Sequence, residues 1–251
     1  YLKGNIQKLG LKGYDYVNIK TDARLAASFF EGKLSIDDPN VKLQVEGSFD
    51  FRNQINMFKA NASLDTLFLY PLRLTSNDVF VRGQVDLDFQ GLEIDSVTGS
   101  AAIHNLLLEV DGKQFKADSI LATSQRSGAQ RSFNILSEHM SLSAEGNFDY
   151  TTLFEDLSET FDEYELAFRN NSDDIESYYA SKPTKEISPY KIRVDATLRD
   201  INPLTDLFIK DFYIAKGTQI EAGFNKNVSS VASLYTAIDT LTFREFSFIG
   251  N

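Results

Sequence analysis

Apolar and polar residues trade places along this chain with a period of two. The clearest stretch is Val41 to Phe51, VKLQVEGSFDF, in which every odd position is apolar or glycine and every even position is polar. Such alternation predicts a strand with one face turned to a core and the other to water. The design returns at Met140 to Tyr150, MSLSAEGNFDY, with Leu43/Leu142, Glu46/Glu145, Gly47/Gly146, Phe49/Phe148 and Asp50/Asp149 in register. This is an internal repeat of one long amphipathic strand.

The pattern recurs elsewhere. Val17 to Phe29, Val79 to Phe89, Gly99 to Val110 and Tyr190 to Leu198 predict further strands, and Phe212–Ile214, Gln219–Asn225, Val231–Ile238 and Leu241–Ile249 add four shorter ones. Asp111-Gly112 has the residues of a two-residue hairpin turn. Asp37-Asp38-Pro39-Asn40 has those of a longer one. Gly47 and Gly83 fall inside strands, where glycine marks a bulge or a close approach. Tyr1 to Tyr16 predicts short or irregular strand pieces, Phe58 to Leu69 a strand entering a helical turn at Leu64–Leu67, and Ser124 to Ser132 a polar loop.

One stretch departs from the alternation. Over Thr151 to Arg169, Leu153, Leu157, Phe161, Tyr164 and Phe168 share a stripe at helical spacing, with Thr152 and Glu155 as a capping box and Asp156, Glu159, Asp162, Glu163 and Glu165 on the opposite face. Asn170 to Ser188 is a polar linker, and Asn202-Pro203 opens a short helix. The fold class is therefore all-β and mostly antiparallel with a short helical insertion. Its segments are 1–150, carrying the repeated strands, 151–188, the amphipathic helix and linker, and 189–251, where the strands resume.

Composition narrows the functions. The formal charge is −11 over 251 residues with no basic cluster, which argues against nucleic acid as a partner. There is no cysteine, so no disulfide or thiolate metal site contributes. No apolar run approaches a membrane span. The chain begins at Tyr1, which suggests a piece of a longer protein whose anchor or targeting signal lies outside it.

Catalytic candidates are sparse. His104 and His139 have no second ligand at metal spacing. Asp37-Asp38, Asp86/Asp88 and Asp173-Asp174 read as turn or strand-face carboxylates rather than a calcium site or a glycosidase pair. No nucleophile elbow, phosphate loop or dinucleotide fingerprint is present. The expectation is a protein that is not an enzyme and needs no cofactor. With no Trp, exposed aromatic platforms for carbohydrate are also disfavoured.

Apolar surface remains: 20 Phe and 11 Tyr, with Phe concentrated on the alternating faces. Alternation alone is equally compatible with a sandwich or barrel core in which those faces meet. Strand length and the mixture of Gly and Ala with Phe favour a curved sheet that leaves an apolar trough suited to acyl chains. The acyl-facing candidates on the first strands are Val41, Leu43, Val45, Phe49, Phe51, Val79, Val81, Val85, Leu87 and Phe89. Met140, Leu142, Phe148, Ile192 and Val194 continue the set.

The succession GKLSIDDPN, VKLQVEGSFDF, ASLDTLFL and VRGQVDLDFQGLEIDSVTGSAAIHN resembles the repetitive β segments of the TamB family, the translocation and assembly module proteins related to AsmA-like bridge proteins. Turns and composition are similar to those of Bacteroidetes members. The resemblance covers most of the chain apart from Thr151 to Ser188. It implies an elongated periplasmic β-taco, an open groove with an apolar interior that conducts phospholipid between inner and outer membrane. It also implies an inner-membrane anchor outside this chain and an outer-membrane BamA-type barrel partner (TamA-like). The alternative within the family is a chaperone or scaffold for outer-membrane protein assembly, offering a sheet edge to nascent strands.

Overall fold

The computed structural model describes residues 1–52, 55–169, 172–182, 188–227 and 230–250. Alternation builds the first ten strands as successive antiparallel neighbours. They are β1 (Leu2–Leu11), β2 (Tyr14–Ala26), β3 (Phe29–Asp38), β4 (Val41–Asp50), β5 (Met57–Phe68), β6 (Val79–Gln90), β7 (Thr98–Val110), β8 (Lys113–Ser127), β9 (Gln130–Ser137) and β10 (Met140–Gly146). Two helices follow, α1 (Tyr150–Arg169) and α2 (Ser172–Ser181), before β11 (Tyr190–Leu198) re-enters the sheet. At the other end α3 (Asn202–Thr205) and β12 (Phe212–Ile214) leave it, and β13 (Thr218–Lys226) and β14 (Ser230–Ala237) complete it. The last strands, β15 (Thr240–Phe243) and β16 (Phe246–Ile249), pair with β12 in a separate sheet of three strands.

The main sheet has 13 strands in sequence order from β1 to β14, β12 excepted, and its two edge strands do not pair with each other. The fold is thus an open, curved, mostly antiparallel sheet and not a barrel. At about 4.8 Å per step it extends roughly 58 Å across its strands before twist. Register shifts at Lys42/Leu43, Leu64/Leu67 and Arg82/Gln84 interrupt the ladders. Bulges of this kind increase local twist and bend a sheet.

Several local expectations change. Leu64 to Leu67 is extended, because Leu64 and Leu67 both keep partners on β4 and β6 and a bulge absorbs the residues between them. Tyr1 to Tyr16 is not irregular: β1 is a continuous strand, and only Lys12 (φ 51°) and Gly13 (φ 77°) turn. Ser124 to Ser132 belongs almost wholly to β8 and β9, which meet at a tight turn with Gly128 at φ 62°. The expected linker is helical over Ser172–Ser181. Its remaining stretch 183–187, with Pro183, lies outside the described residues, as do Asn170 and Asn171 and the side chain of Asp174.

The strand repeat has a steric basis. A Cβ at Gly47 would sit 2.8 Å from the Lys59 carbonyl oxygen, and one at Gly146 would sit 2.0 Å from that of Lys191. Both copies need glycine where a neighbouring strand passes close. The copies then part: β4 runs on to Asp50, whereas the second copy leaves the sheet at Asn147 and enters α1.

Burial concentrates at two places on the apolar face. Ala144, Phe148, Leu153, Tyr190, Ile192 and Phe224 pack beneath α1, and Val110, Phe115, Ala117 and Leu207 pack beside α3. A third fixed point is Asp38, only 1% exposed. Its carboxylate accepts from the Tyr14 hydroxyl (2.6 Å) and from the amides of Val17 (3.1 Å) and Asn40 (2.8 Å). Burial and this hydrogen bond to Asp38 raise the Tyr14 phenol above its ordinary value. Asp37, by contrast, is exposed, so the two residues form a structured turn rather than a carboxylate pair.

Replacing Asp38 by Ala leaves three donors without their acceptor and should cost about 3 kcal/mol, against about 1 kcal/mol for Tyr14→Phe. Urea unfolding checks both; equal losses would refute this account of the turn.

Candidate apolar groove

Residues opposite one another in register share a face, so the pairings define what each side of the sheet presents. Leu25, Phe30, Phe49, Phe58 and Phe89 are successive partners across β2 to β6. Their rings touch: the centroids of Phe30 and Phe49 lie 5.7 Å apart, and those of Phe49 and Phe58 5.2 Å. A parallel row of small residues, Ala23, Gly32, Gly47 and Ala60, runs beside it. From Phe89 the aromatic row continues through Gly99, Ser124, Phe133, Ala144 and Val194.

The sequence-derived residues fall on this one face. Leu43, Val45 and Phe49 of β4 and Val81, Val85, Leu87 and Phe89 of β6 occupy matching register rows, with Phe51 just past the strand end against Phe58. Met140, Leu142, Ile192 and Val194 continue the face on β10 and β11. Their environments differ. Val41 is buried, and Val79 packs against the cluster beside α3. Phe148 and Ile192 are buried beneath α1, while Leu25 at 56% and Phe51 at 42% remain exposed.

Where α1 overhangs the sheet, the face deepens into a pocket of about 530 Å³. Phe89, Leu142, Phe148, Ile192 and Val194, all expected, line it together with Phe133, Ile94, Val97, Tyr150, Leu153 and Phe154. Its size is that of a small-molecule site and its walls are almost wholly apolar. Of the later residues Tyr150 closes the alternating stretch from Met140, whereas Ile94 and Val97 belong to a loop and Leu153 and Phe154 to the helix. Only the helical stripe signalled Leu153.

A polar anchor holds α1 down. Asp156, expected on the solvent side of the helix, is 6% exposed and faces the sheet. It accepts from the Tyr190 hydroxyl at 2.9 Å and lies 3.1 Å from Lys226 Nζ. Burial, then the Asp156 hydrogen bond and charge, push the Tyr190 phenol well above its ordinary value. Phe161, Tyr164 and Phe168, expected to share the packed stripe, are exposed because α1 runs out past the sheet toward α2. The helix starts at Tyr150 rather than behind a Thr152 box: the Leu153 amide donates to the Asp149 carbonyl, and the Asp95 carboxylate accepts from the Thr151 amide at 3.1 Å. Burial alone would raise the Asp95 carboxyl, but the donors at Thr151 and Tyr150 outweigh it and hold it below the usual carboxylate value.

The opposite face offers a larger depression, about 870 Å³, along the row Lys3, Asp22, Lys33, Glu46, Asn61 and Asp86. Troughs on both faces are expected of a strongly twisted sheet. Its charges pair across strands, Lys3 with Asp22 at 3.3 Å and Lys33 with Glu46 at 2.9 Å. It is a solvated ladder, worth little per pair. His104 belongs to the same face, 3.6 Å from Asp86. His139 is structural, its ring nitrogens meeting the carbonyls of Asp200 (2.9 Å) and Lys116 (2.8 Å). Among the described residues no group of three or more His, Cys, Asp or Glu could hold a metal ion.

Asp156→Ala strands the Tyr190 hydroxyl and the Lys226 ammonium and should cost about 2–3 kcal/mol, with about 1 kcal/mol for Tyr190→Phe. Chemical denaturation distinguishes them, and equal effects would refute the anchor. Asp95 has a depressed folded value, so its contribution is present above the ordinary carboxylate value of about 3.9 and disappears as pH falls through the folded one. Asp95→Asn should accordingly lower the melting temperature at neutral pH, by a margin that shrinks as the pH is taken down below the ordinary carboxylate value. A constant gap across that range would contradict the assignment. Compared with known proteins, the chain matches no family model, no curated protein and no solved structure.

Proposed function

We propose that this chain is a non-enzymatic segment of a lipid-conducting groove, in which acyl chains lie on the apolar face of the open sheet. One observation carries the proposal: the half-exposed aromatic and aliphatic rows of β2 to β6 lead, strand by strand, into the apolar pocket beneath α1. A closed core would have no such continuation, and a polar substrate would find few partners there. Burying an acyl chain contributes about 0.8 kcal/mol per methylene, and the attraction is non-directional, which holds a chain yet lets it slide.

The resemblance of the repeated strands to TamB-family segments is in keeping with this reading. On that reading the groove conducts phospholipid through the periplasm, held to the inner membrane by an anchor outside this chain and reaching a BamA-type barrel (TamA-like) at the outer membrane. The scaffold alternative draws on a different feature, the outer edges of β1 and β14, which have no strand neighbour among the described residues. Such edges can accept an added strand.

Photo-crosslinking residues separate the two. Probes at Leu43 and Leu142 should capture lipid when the protein is purified from cells, and probes at Gln44 and Ser143, on the other face, should not. Lipid at Gln44 without lipid at Leu43 would overturn the facing. Polypeptide captured through β1 or β14, with no lipid at any of the four positions, would favour the scaffold.

A further inference from the structure

The apolar face carries one buried charged group whose hydrogen bonds are only partly met. Arg131 on β9 stands opposite Arg126 on one side and Gly146 on the other. It therefore projects from the same face as Phe133, two residues along, and borders the end of the pocket that Phe133 lines. Gly146 offers no side chain beside it. The Arg131 side chain is 0% exposed.

Its hydrogen bonds are incomplete. Nη2 donates to the Asp95 carbonyl oxygen and lies 3.7 Å from Asp149 Oδ1. Among the described residues Nε and Nη1 have no hydrogen-bond partner, and neither does Asp149 Oδ1. The nearby carboxylates of Asp149 and Asp95 offset its charge without a hydrogen bond to Nε or Nη1. That of Asp95 caps α1 through the Thr151 amide, and Asp149 lies nearer to Arg126, whose Nη1 is 3.3 Å away, than to Arg131. Leaving donors of a buried cation unmet is costly, so a guanidinium in this state is poised for an acceptor.

One aromatic ring touches both the guanidinium and the pocket. The Tyr150 ring lies over the guanidinium, 4.5 Å from its Cζ, and also lines the pocket. The Ser124 hydroxyl donates to the Val97 carbonyl at 3.0 Å and accepts from the Tyr150 hydroxyl at 3.2 Å, and Ser124 lines the pocket as well.

We propose that Arg131 is the headgroup-binding residue of this pocket, and that the ligand is an acyl chain ending in an anionic oxyacid, a carboxylate or a phosphate. The inference rests on the lipid reading of the groove and adds the chemistry of the head. The chain lies against Phe133, Phe148 and Leu153. Oxygens of the head accept from Nε–H and Nη1–H of Arg131 once the Tyr150 ring moves aside, and the Tyr150 hydroxyl supplies a further donor. Arg126 adds positive charge from the neighbouring strand. Charge-assisted hydrogen bonds of this kind are about twice as strong as neutral ones, and guanidinium is the cation best matched to carboxylate and phosphate.

The test uses ligands that share a chain and differ in the head: oleate and oleyl alcohol, titrated into the purified chain and read by native mass spectrometry and displacement of a fluorescent probe. The wild type should bind oleate at least tenfold more tightly than the alcohol. Arg131→Gln should abolish that preference while leaving the alcohol's affinity unchanged. Arg131→Lys, which keeps the charge and loses the planar fork, should weaken oleate several-fold with the alcohol again unchanged. This second variant decides the matter if the first does not fold. Equal binding of acid and alcohol by the wild type, or a preference surviving in the folded Arg131 variants, overturns the headgroup assignment and leaves the groove reading standing. Binding of neither ligand overturns both. Saturable binding of inorganic phosphate or acetate, at affinities equal to that of oleate, would make this a free-anion site and overturn the acyl ligand.

Discussion

An unclosed sheet with one apolar face has to do something with that face, and everything distinctive in this molecule follows from that constraint. A barrel would turn the face inward and a sandwich would set a second sheet against it. Here neither occurs, because consecutive strands simply pair side by side and the edges never meet. What covers the face is local: α1 near one end, and α3 at the other. Between these covers, apolar rows stay partly in water.

The covers are secured by polar chemistry placed within apolar surroundings. Asp156, Tyr190 and Lys226 fasten the helix, and Asp38 with Tyr14 fastens a turn. Buried polar contacts of this sort add specificity of position more than net stability, since each group must first be stripped of water. The helix can thus be held in one place without filling the space beneath it. Arg131 shows the same economy with its partners incompletely supplied.

Much of the architecture was legible because a strand's period is a local property. Alternation from Val41 to Phe51 and from Val79 to Phe89 identifies not only strands but the side each residue takes, and antiparallel pairing preserves that side across the sheet. Asp111-Gly112 likewise turns with both residues at positive φ, as the dipeptide suggests. The misreadings share a cause. Asp156 looks like any acid on a solvated helix, and its partner Tyr190 is 34 residues away. Arg131 sits in a stretch that composition marks as a loop, and its burial depends on Tyr150 and Asp95 from two other segments. The Leu64–Leu67 segment has helical spacing, yet partners on both flanks impose extension.

Strand order that follows chain order has a consequence for how the molecule comes apart. Each strand touches its immediate neighbours and little else, so cohesion is shared out link by link, as in solenoids, rather than pooled in one centre. Fraying then begins at either flank and travels inward, with the strands that α1 and α3 cover the last to open, and lengthening such an array by whole hairpins would leave the existing links unchanged.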